Sequence, residues 1–150
     1  QTMEYAREVG VIPEVISSME EAGWENGIEG FMATSDLQRV AEYIDQYLPE
    51  IYYVNSEPGC VDIMASGVSK WRGIKILAES LNIAHEDILT VGNYYNDIDM
   101  LQHAGVGIAV ANSLPEVKDV ADFVTEYDNN HDAVAEIISK MLHHEYDMTK

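Results

Sequence analysis

The sequence predicts an α/β protein with a parallel sheet over its second part and a smaller α+β layer before it. From about residue 67 onward, short apolar runs typical of buried strands alternate with segments of helical periodicity, the pattern of parallel βαβ units. Before that point, two short strand candidates are separated by Asn, Ser, Pro and Gly, which favour an antiparallel turn. We therefore expect a boundary between the two parts near residues 65–67.

The first part holds one clear helix and three strand candidates. Residues 28–34 are typical of a strand, and Ser35 or Asp36 is expected to cap the helix that follows, whose apolar residues recur at helical spacing as far as Leu48. The next strand candidates are residues 51–54 and 61–65. An earlier helix that begins at Pro13 is indicated only weakly.

The second part alternates helices and strands in regular order. The predicted strands are residues 88–92, 106–110 and 122–125. Ser69 is expected to cap the first helix, and residues 113–116 have the pattern of a capping box with a proline near the first turn. The apolar faces of the first and last helices consist of Ile74, Leu77, Ala78 and Leu81, and of Val134, Ile137, Ile138, Met141 and Leu142.

Charge and composition exclude several classes of partner. The formal net charge is −19 with only eight Lys and Arg residues, which argues against binding to nucleic acid or to an anionic membrane but is compatible with a cation such as Mg²⁺. No apolar run approaches the length of a transmembrane helix. The single cysteine, Cys60, cannot form an internal disulfide and is expected to pack as a small core residue. We therefore expect a cytoplasmic protein.

The stretch from Ile88 to Leu101 carries the site hypothesis. An apolar strand is followed by Gly92, then by a cluster of amides and carboxylates, and then by the beginning of a helix. Ligands bind at the carboxyl ends of strands in open α/β sheets. This position places Asn93, Asn96 and Asp97 where a ligand is expected, while Asp97 is also expected to cap the helix through its carboxylate.

Two motifs resemble those of the haloacid dehalogenase superfamily, and more narrowly the C-terminal part of its Cof-type (subclass IIB) phosphatases. They are Gly67-Val68-Ser69-Lys70 and the segment from Gly92 to Leu101, with Lys70 and Asn93 about 23 residues apart. The segment from Gly107 to Asn112 follows them. The resemblance implies a Rossmann-like core with flanking helices and an α/β cap.

The resemblance also implies roles for single residues. The family forms a phospho-aspartyl intermediate, with Mg²⁺ shielding the phosphate charge. Lys70 matches the catalytic lysine that contacts both the nucleophile and the phosphoryl oxygens. Asn93 stands where the family has an aspartate that binds Mg²⁺, and Asp97 matches the second acidic residue of the metal site. Asn96 matches a residue that contacts substrate or phosphate, and Asn112 falls in a segment near the site.

Three of these residues also have a simpler interpretation. Lys70 could be a surface lysine in the first turn of a helix, although a cation is electrostatically unfavourable there. Asp97 could serve only as a helix cap, and Asn112 only as a turn residue before the next helix. An amide oxygen at position 93 can still bind a hard cation, but it brings no charge.

No segment of the sequence matches the Asp-x-Asp-Gly-Thr-like motif that supplies the family's nucleophile. Asp45, Asp62 and the pair Asp97 and Asp99 do not stand between an apolar strand and a Gly-Thr turn. We therefore expect a fragment, with residues 1–66 forming part of a cap and residues 67–150 forming the C-terminal half of the core. Alone, it would leave the sheet edge beside Gly92 uncovered and prone to self-association.

Two classes of function follow from these observations. The first is a Mg²⁺-dependent phosphohydrolase that acts on a small phosphorylated metabolite, such as a sugar phosphate, and of which this chain is an inactive piece. The second is a non-catalytic phosphate-binding or regulatory module that retains the phosphate-facing loop. A self-associating α/β domain is a third, simpler alternative.

Overall fold

The computed structural model describes residues 30–146 together with residues 17, 18, 21 and 27. The weak helix predicted from Pro13 and the beginning of the first predicted strand fall largely outside the described residues. Within them, the α/β prediction is confirmed: helices accompany one antiparallel and one parallel sheet, each of three strands.

The antiparallel sheet is built from the first part of the chain. Strands β1 (Phe31–Ala33), β2 (Ile51–Glu57) and β3 (Cys60–Ala65) lie in the order β1-β3-β2, and helix α1 (Leu37–Tyr47) connects the first two in sequence. Strand β2 is longer than predicted because it continues to the turn of the β2–β3 hairpin, where Gly59 has a φ of 82°.

The predicted side-chain cap of α1 is wrong. Asp36 occupies the N-cap position, but its backbone is left-handed, with a φ of 52°, and its side chain makes no capping hydrogen bond. Its carboxylate instead lies 3.7 Å from the guanidinium of Arg39, an exposed ion pair that contributes little to stability.

The register of the hairpin assigns its side chains to two faces. Ile63 pairs with Tyr53 and Asp62 pairs with Val54, and successive residues of a strand point to opposite faces. The Tyr53 hydroxyl donates a hydrogen bond of 3.1 Å to Asp45 of α1. The face that carries Ile63 therefore packs toward α1, and the face that carries Asp62 is turned away from it.

The parallel sheet is built from the second part of the chain. Strands β4 (Leu89–Gly92), β5 (Val106–Ala109) and β6 (Phe123–Val124) lie in that order, and all four residues of β5 are buried. Strand β4 lies at an edge, since no other described strand pairs with its free side. This is the uncovered edge that the sequence predicts.

Four helices accompany the parallel sheet and end within a few residues of their predicted limits. They are α2 (Lys70–Leu81), α3 (Ile98–His103), α4 (Pro115–Val120) and α5 (Ala133–Leu142). The largest fully buried side chains, from α3, β5 and α4, are Leu101, Val106, Ile108 and Val117. Cys60 is only partly buried, so its prediction as a core residue is wrong.

The predicted buried faces of α2 and α5 are only partly correct. Ala78 and Ile137 are buried, but most of their apolar neighbours on the same faces are exposed in the described structure. The exposed residues are Leu77, Leu81, Val134, Ile138, Met141 and Leu142. The apolar face of each helix is therefore wider than the surface that the other described residues cover.

The predicted capping box of α4 is also wrong, although Pro115 begins the helix as expected. The Ser113 hydroxyl is buried and donates a hydrogen bond of 3.2 Å to the carbonyl oxygen of Gly92. Glu116 accepts a hydrogen bond from the Tyr95 hydroxyl at 3.3 Å. Ser113 therefore connects the helix to the end of β4, and Glu116 connects it to the turn that follows, instead of capping it.

Glu136 connects α5 to the segment after β6 and gives a pH-dependent contribution to stability. Burial raises the pKa of its carboxyl, but hydrogen bonds from Lys140 and from the Glu126 and Tyr127 amides outweigh this and lower the pKa below its usual value. A carboxyl whose pKa is lower in the folded state stabilises the protein above its unfolded pKa, near 4.5, and loses this effect as the pH falls.

We expect Glu136→Ala to lower the free energy of unfolding at pH 7 by about 1 to 3 kcal/mol, because the side chain is only 7% exposed and its hydrogen-bond donors lose their acceptor. Urea unfolding at pH 7 and at pH 3.5 measures this loss, which shrinks at the lower pH. Glu79→Ala is the matched control, since its pair with Lys75 is long, at 4.0 Å, and exposed. Equal losses for both variants would contradict the prediction.

Candidate functional site

The turn after β4 is closed by the carboxylate of Asp97. Its Oδ2 accepts hydrogen bonds from the amides of Asn93 at 2.8 Å and Tyr94 at 3.1 Å. Asp97 makes no capping bond to α3, so its predicted role as the side-chain cap of that helix is wrong. The carboxylate points back toward β4 because the chain forms a short 3-10 turn over residues 95–97 before the α-helix begins.

Gly92 provides the space that Asp97 occupies. A Cβ atom on residue 92 would lie 2.4 Å from the Cβ of Asp97 and 2.9 Å from its Oδ2. These distances are shorter than any ordinary carbon contact, so a larger residue at position 92 must displace Asp97. The sequence predicts only that Gly92 ends the strand. The structure shows that this glycine also allows the close approach of the Asp97 carboxylate.

Lys70 reaches the same carboxylate from a different element. It is the first residue of α2, and its Nζ donates a hydrogen bond of 2.5 Å to Oδ1 of Asp97. The Asp97 side chain is only 4% exposed, whereas that of Lys70 is 48% exposed. The ion pair offsets the unfavourable position of a cation at a helix N-terminus and leaves part of the ammonium open to solvent.

Ser69 positions the beginning of α2. As predicted, it caps the helix, since its Oγ accepts a hydrogen bond of 3.1 Å from the amide of Arg72. The same hydroxyl donates a 2.5 Å hydrogen bond to Asp99 of α3, which connects the two helices beside Lys70. No local sequence pattern predicts this second bond, because the two residues lie 30 positions apart.

Asn93 and Asn96 lie around this ion pair with their side-chain amides unbound. Asn93 is exposed and borders a cavity with Gly92 and Val110 at the carboxyl ends of β4 and β5. Asn96 is half-buried and borders the same cleft as Lys70. Neither side chain has a hydrogen-bond partner among the residues that the structure describes, so both are available to a ligand.

Asn112 is placed differently. Its Nδ2 donates a 2.7 Å hydrogen bond to Oδ1 of Asn129, and its own Oδ1 accepts a 3.3 Å hydrogen bond from the Asn129 amide. The side chain thus connects the loop after β5 to the loop before α5. This arrangement favours the interpretation of Asn112 as a turn residue, and its role in phosphate binding stays a prediction.

The donor set fits one side of a Mg²⁺ site. Mg²⁺ prefers six oxygen ligands in octahedral geometry. The Asn93 amide offers an unbound oxygen, while both oxygens of Asp97 already accept hydrogen bonds and hold the turn that carries Asn93. Within residues 30–146 and the few described before them, no group of three or more His, Cys, Asp or Glu side chains is arranged to hold a metal. Further ligands would have to be water, phosphate or other residues.

Tyr95 extends the polar rim of the site. The negative charge of Glu116, together with burial and the hydrogen bond between the two side chains, raises the pKa of the Tyr95 phenol above its usual value. The phenol is therefore neutral at physiological pH. No local sequence pattern predicts this contact, which joins residues on two different elements.

The segment from β1 to α5 matches a known family. The model of haloacid dehalogenase-like hydrolases aligns with residues 24–138, which include both sheets and the Lys70–Asp97 pair. The chain belongs to this hydrolase family. The identification confirms the resemblance carried by the two sequence motifs, including its Cof-type character.

Two proteins of Bacillus subtilis resemble the chain. YxeH, a candidate phosphatase of Bacillus subtilis, is 35% identical over 108 residues, which are 71% of this chain and 40% of YxeH. The uracil phosphatase YcsE of the same organism, whose substrate is named as 5-amino-6-(5-phospho-D-ribitylamino)uracil, is 34% identical over 89 residues, or 59% of this chain and 35% of YcsE.

The fold agrees with a solved haloacid dehalogenase structure. The subclass IIB sugar phosphatase BT4131 superposes with a TM-score of 0.71 and 28% identity, over 94% of this chain and 54% of that one. The chain thus spans well under half of YxeH and about half of the solved phosphatase. None of the helices that the structure describes is long and apolar enough to cross a membrane.

Proposed function

We propose that these residues contribute to a Mg²⁺-dependent phosphohydrolase that acts on a small phosphorylated metabolite. The observation that carries the proposal is the Lys70–Asp97 ion pair at the carboxyl end of β4, with the unbound amides of Asn93 and Asn96 beside it. A half-exposed cation and two free amides are suited to the oxygens of a phosphoryl group.

In this proposal each residue has a separate task. Lys70 stabilises the charge on the transferring phosphoryl oxygens, and Asn96 donates a hydrogen bond to phosphate or substrate. Asn93 supplies an oxygen ligand to Mg²⁺, and Asp97 positions both Lys70 and the Asn93 turn. Mg²⁺, when bound, neutralises part of the phosphate charge. The nucleophile is proposed to come from sequence outside these 150 residues, because no segment of them matches the family's Asp-x-Asp-Gly-Thr-like motif.

We also propose that the two parts of the chain belong to different domains of the full-length protein. Residues 1–66 would belong to a cap that covers the substrate, and residues 67–150 to the C-terminal half of the catalytic core. The named substrate of YcsE and the sugar phosphatase activity of BT4131 support a polyhydroxylated phosphate monoester as the substrate class. A cytoplasmic location is part of the same proposal.

A second candidate is a phosphate-binding or regulatory module without catalysis. The amide at position 93, in place of a charged ligand, favours it, because it weakens the metal site. Self-association is the third candidate, and the free edge of β4 favours it. A concentration-dependent mass in sedimentation experiments that Val91→Pro reduces would support the third candidate.

The metal dependence of phosphate release tests the proposed function. In the full-length protein, we expect hydrolysis of p-nitrophenyl phosphate to require Mg²⁺ and to stop on chelation. Asn93→Asp should lower the Mg²⁺ concentration for half-maximal activity by about tenfold, because it adds a charged oxygen ligand.

Asn55→Asp is the matched control, since it adds the same charge on an exposed position of β2. An equal shift of the half-maximal Mg²⁺ concentration in both variants would contradict the assignment of Asn93 as a metal ligand. Phosphate binding without any hydrolysis under these conditions would favour the non-catalytic module.

A further inference from the structure

A cleft separates the antiparallel sheet from the Lys70 site. It has a volume of about 460 Å³, and Lys70 and Asn96 line one of its walls. Side chains from the β2–β3 hairpin, among them Tyr52 and Asp62, line the same cleft. A phosphate held by Lys70 would therefore direct the organic part of its ester toward the hairpin.

Asp62 projects into this cleft because of its position in β3. Ile63 belongs to the face that packs toward α1, so its neighbour Asp62 lies on the opposite face. Val54, the register partner of Asp62, also lines the cleft, which agrees with this assignment. The sequence signal for this residue is a single carboxylate within the apolar segment 61–65.

Asp62 differs from the other carboxylate of the cleft in having no partner. Asp99 accepts a hydrogen bond of 2.5 Å from the Ser69 hydroxyl, and its other carboxylate oxygen lies 3.2 Å from Nδ1 of His103. No described residue donates a hydrogen bond to Asp62 or forms an ion pair with it. Its oxygens are therefore free to accept hydrogen bonds from a ligand.

We infer that Asp62 is a specificity-determining residue that selects phosphate monoesters whose organic part carries hydroxyl or ammonium donors. This inference rests on the proposed function, because Lys70 must hold the phosphate. A carboxylate accepts hydrogen bonds and repels anions, so the same residue rejects esters with a second anionic group. Since Asp97 already pairs with Lys70, the cleft offers little positive charge to a second anion.

Three ligands that share the phosphonate end and differ at the other end of the sugar test the proposed selectivity in the full-length protein. They are the 6-phosphonate analogues of glucosamine, glucose and gluconate, in which a carbon replaces the ester oxygen so that hydrolysis cannot occur. Isothermal titration measures the dissociation constant of each. We expect the wild-type protein to bind the glucosamine analogue about tenfold or more tightly than the gluconate analogue.

Two substitutions of Asp62 give opposite expectations. Asp62→Asn should remove most of the preference for the glucosamine analogue, and Asp62→Lys should reverse it in favour of the gluconate analogue. Asp87→Asn is the matched control, because Asp87 is exposed and lies before β4, at the end of the strand away from Gly92. It should retain the wild-type preference.

The outcomes separate this inference from the proposed function. Orthophosphate that binds the wild type but not Lys70→Met supports the phosphate site independently of Asp62. If that holds and all Asp62 variants keep the wild-type preference, the role of Asp62 is overturned alone. If orthophosphate binding does not depend on Lys70, the phosphate site itself fails and the inference fails with it.

Discussion

Lys70→Met is expected to lower the rate of phosphate release by the full-length protein about 100- to 1000-fold, the usual cost of removing one donor that stabilises a transition-state oxyanion. The structure supports this because the Nζ of Lys70 is the cation next to the turn after β4 and remains half exposed to a ligand. Methionine keeps the length and apolar stem of the side chain and removes only the charge. Steady-state kinetics at saturating Mg²⁺ measure the loss.

Two further variants sharpen this test. Lys75→Met removes the same charge from the same helix, where Lys75 makes only an exposed 4.0 Å pair with Glu79, and should leave the rate nearly unchanged. Lys70→Arg keeps the charge but changes its geometry, and should give an intermediate rate. Turnover near the wild-type value for Lys70→Met would exclude Lys70 from the mechanism.

The loss of Lys70 also affects folding, so the kinetic result needs a stability measurement. Without its ammonium partner, the buried carboxylate of Asp97 keeps only the two amide hydrogen bonds from the turn. Urea unfolding of Lys70→Met shows whether the variant is folded at the assay temperature. A folded, inactive variant assigns the effect to the charge of Lys70.

Gly92→Ala is the second substitution with a large expected effect. The added methyl group would lie 2.4 Å from the Cβ of Asp97. The carboxylate must therefore move away from the backbone amides whose hydrogen bonds it accepts. We expect the free energy of unfolding to fall by about 1 to 3 kcal/mol, the usual cost of overpacking. The rate of phosphate release should also fall, because Asp97 positions both Lys70 and the turn that carries Asn93 through its hydrogen bonds.

Gly73→Ala is the matched control for this substitution. Gly73 lies inside α2, and a Cβ atom there meets no atom within 4 Å apart from its chain neighbours and the helix's own backbone. Alanine in a helix interior is favoured over glycine by about 1 kcal/mol, so this variant should be slightly more stable than the wild type and equally active. A Gly92→Ala variant with wild-type stability would show that Asp97 has room to move without cost.

The fold was largely predictable because its elements depend on local patterns. The alternation of apolar strands with helical periodicity specified the parallel sheet, and the cap by Ser69 formed as predicted. The errors have one physical cause in common. Asp36, Asp97 and Ser113 each have a residue type that favours helix capping, but their polar atoms bond to other partners or make no cap bond.

Burial on the helices shows a similar limit. Periodicity identified which residues of α2 and α5 share a face, but it could not show how much of that face another element covers. Leu77 and Leu81 are exposed although Ala78 is buried. Burial depends on the shape of the surface opposite, which no local pattern contains.

The sequence by itself determined the α/β class, the position of the candidate site after β4, and the residue types that a phosphate and a cation require. Only the tertiary structure decided that Lys70 and Asp97 form an ion pair, that Asn112 is bound to Asn129, and that Asp62 lines the cleft. Local structure follows from the periodicity of neighbouring residues, whereas these contacts join residues far apart in sequence and exist only when the elements pack together.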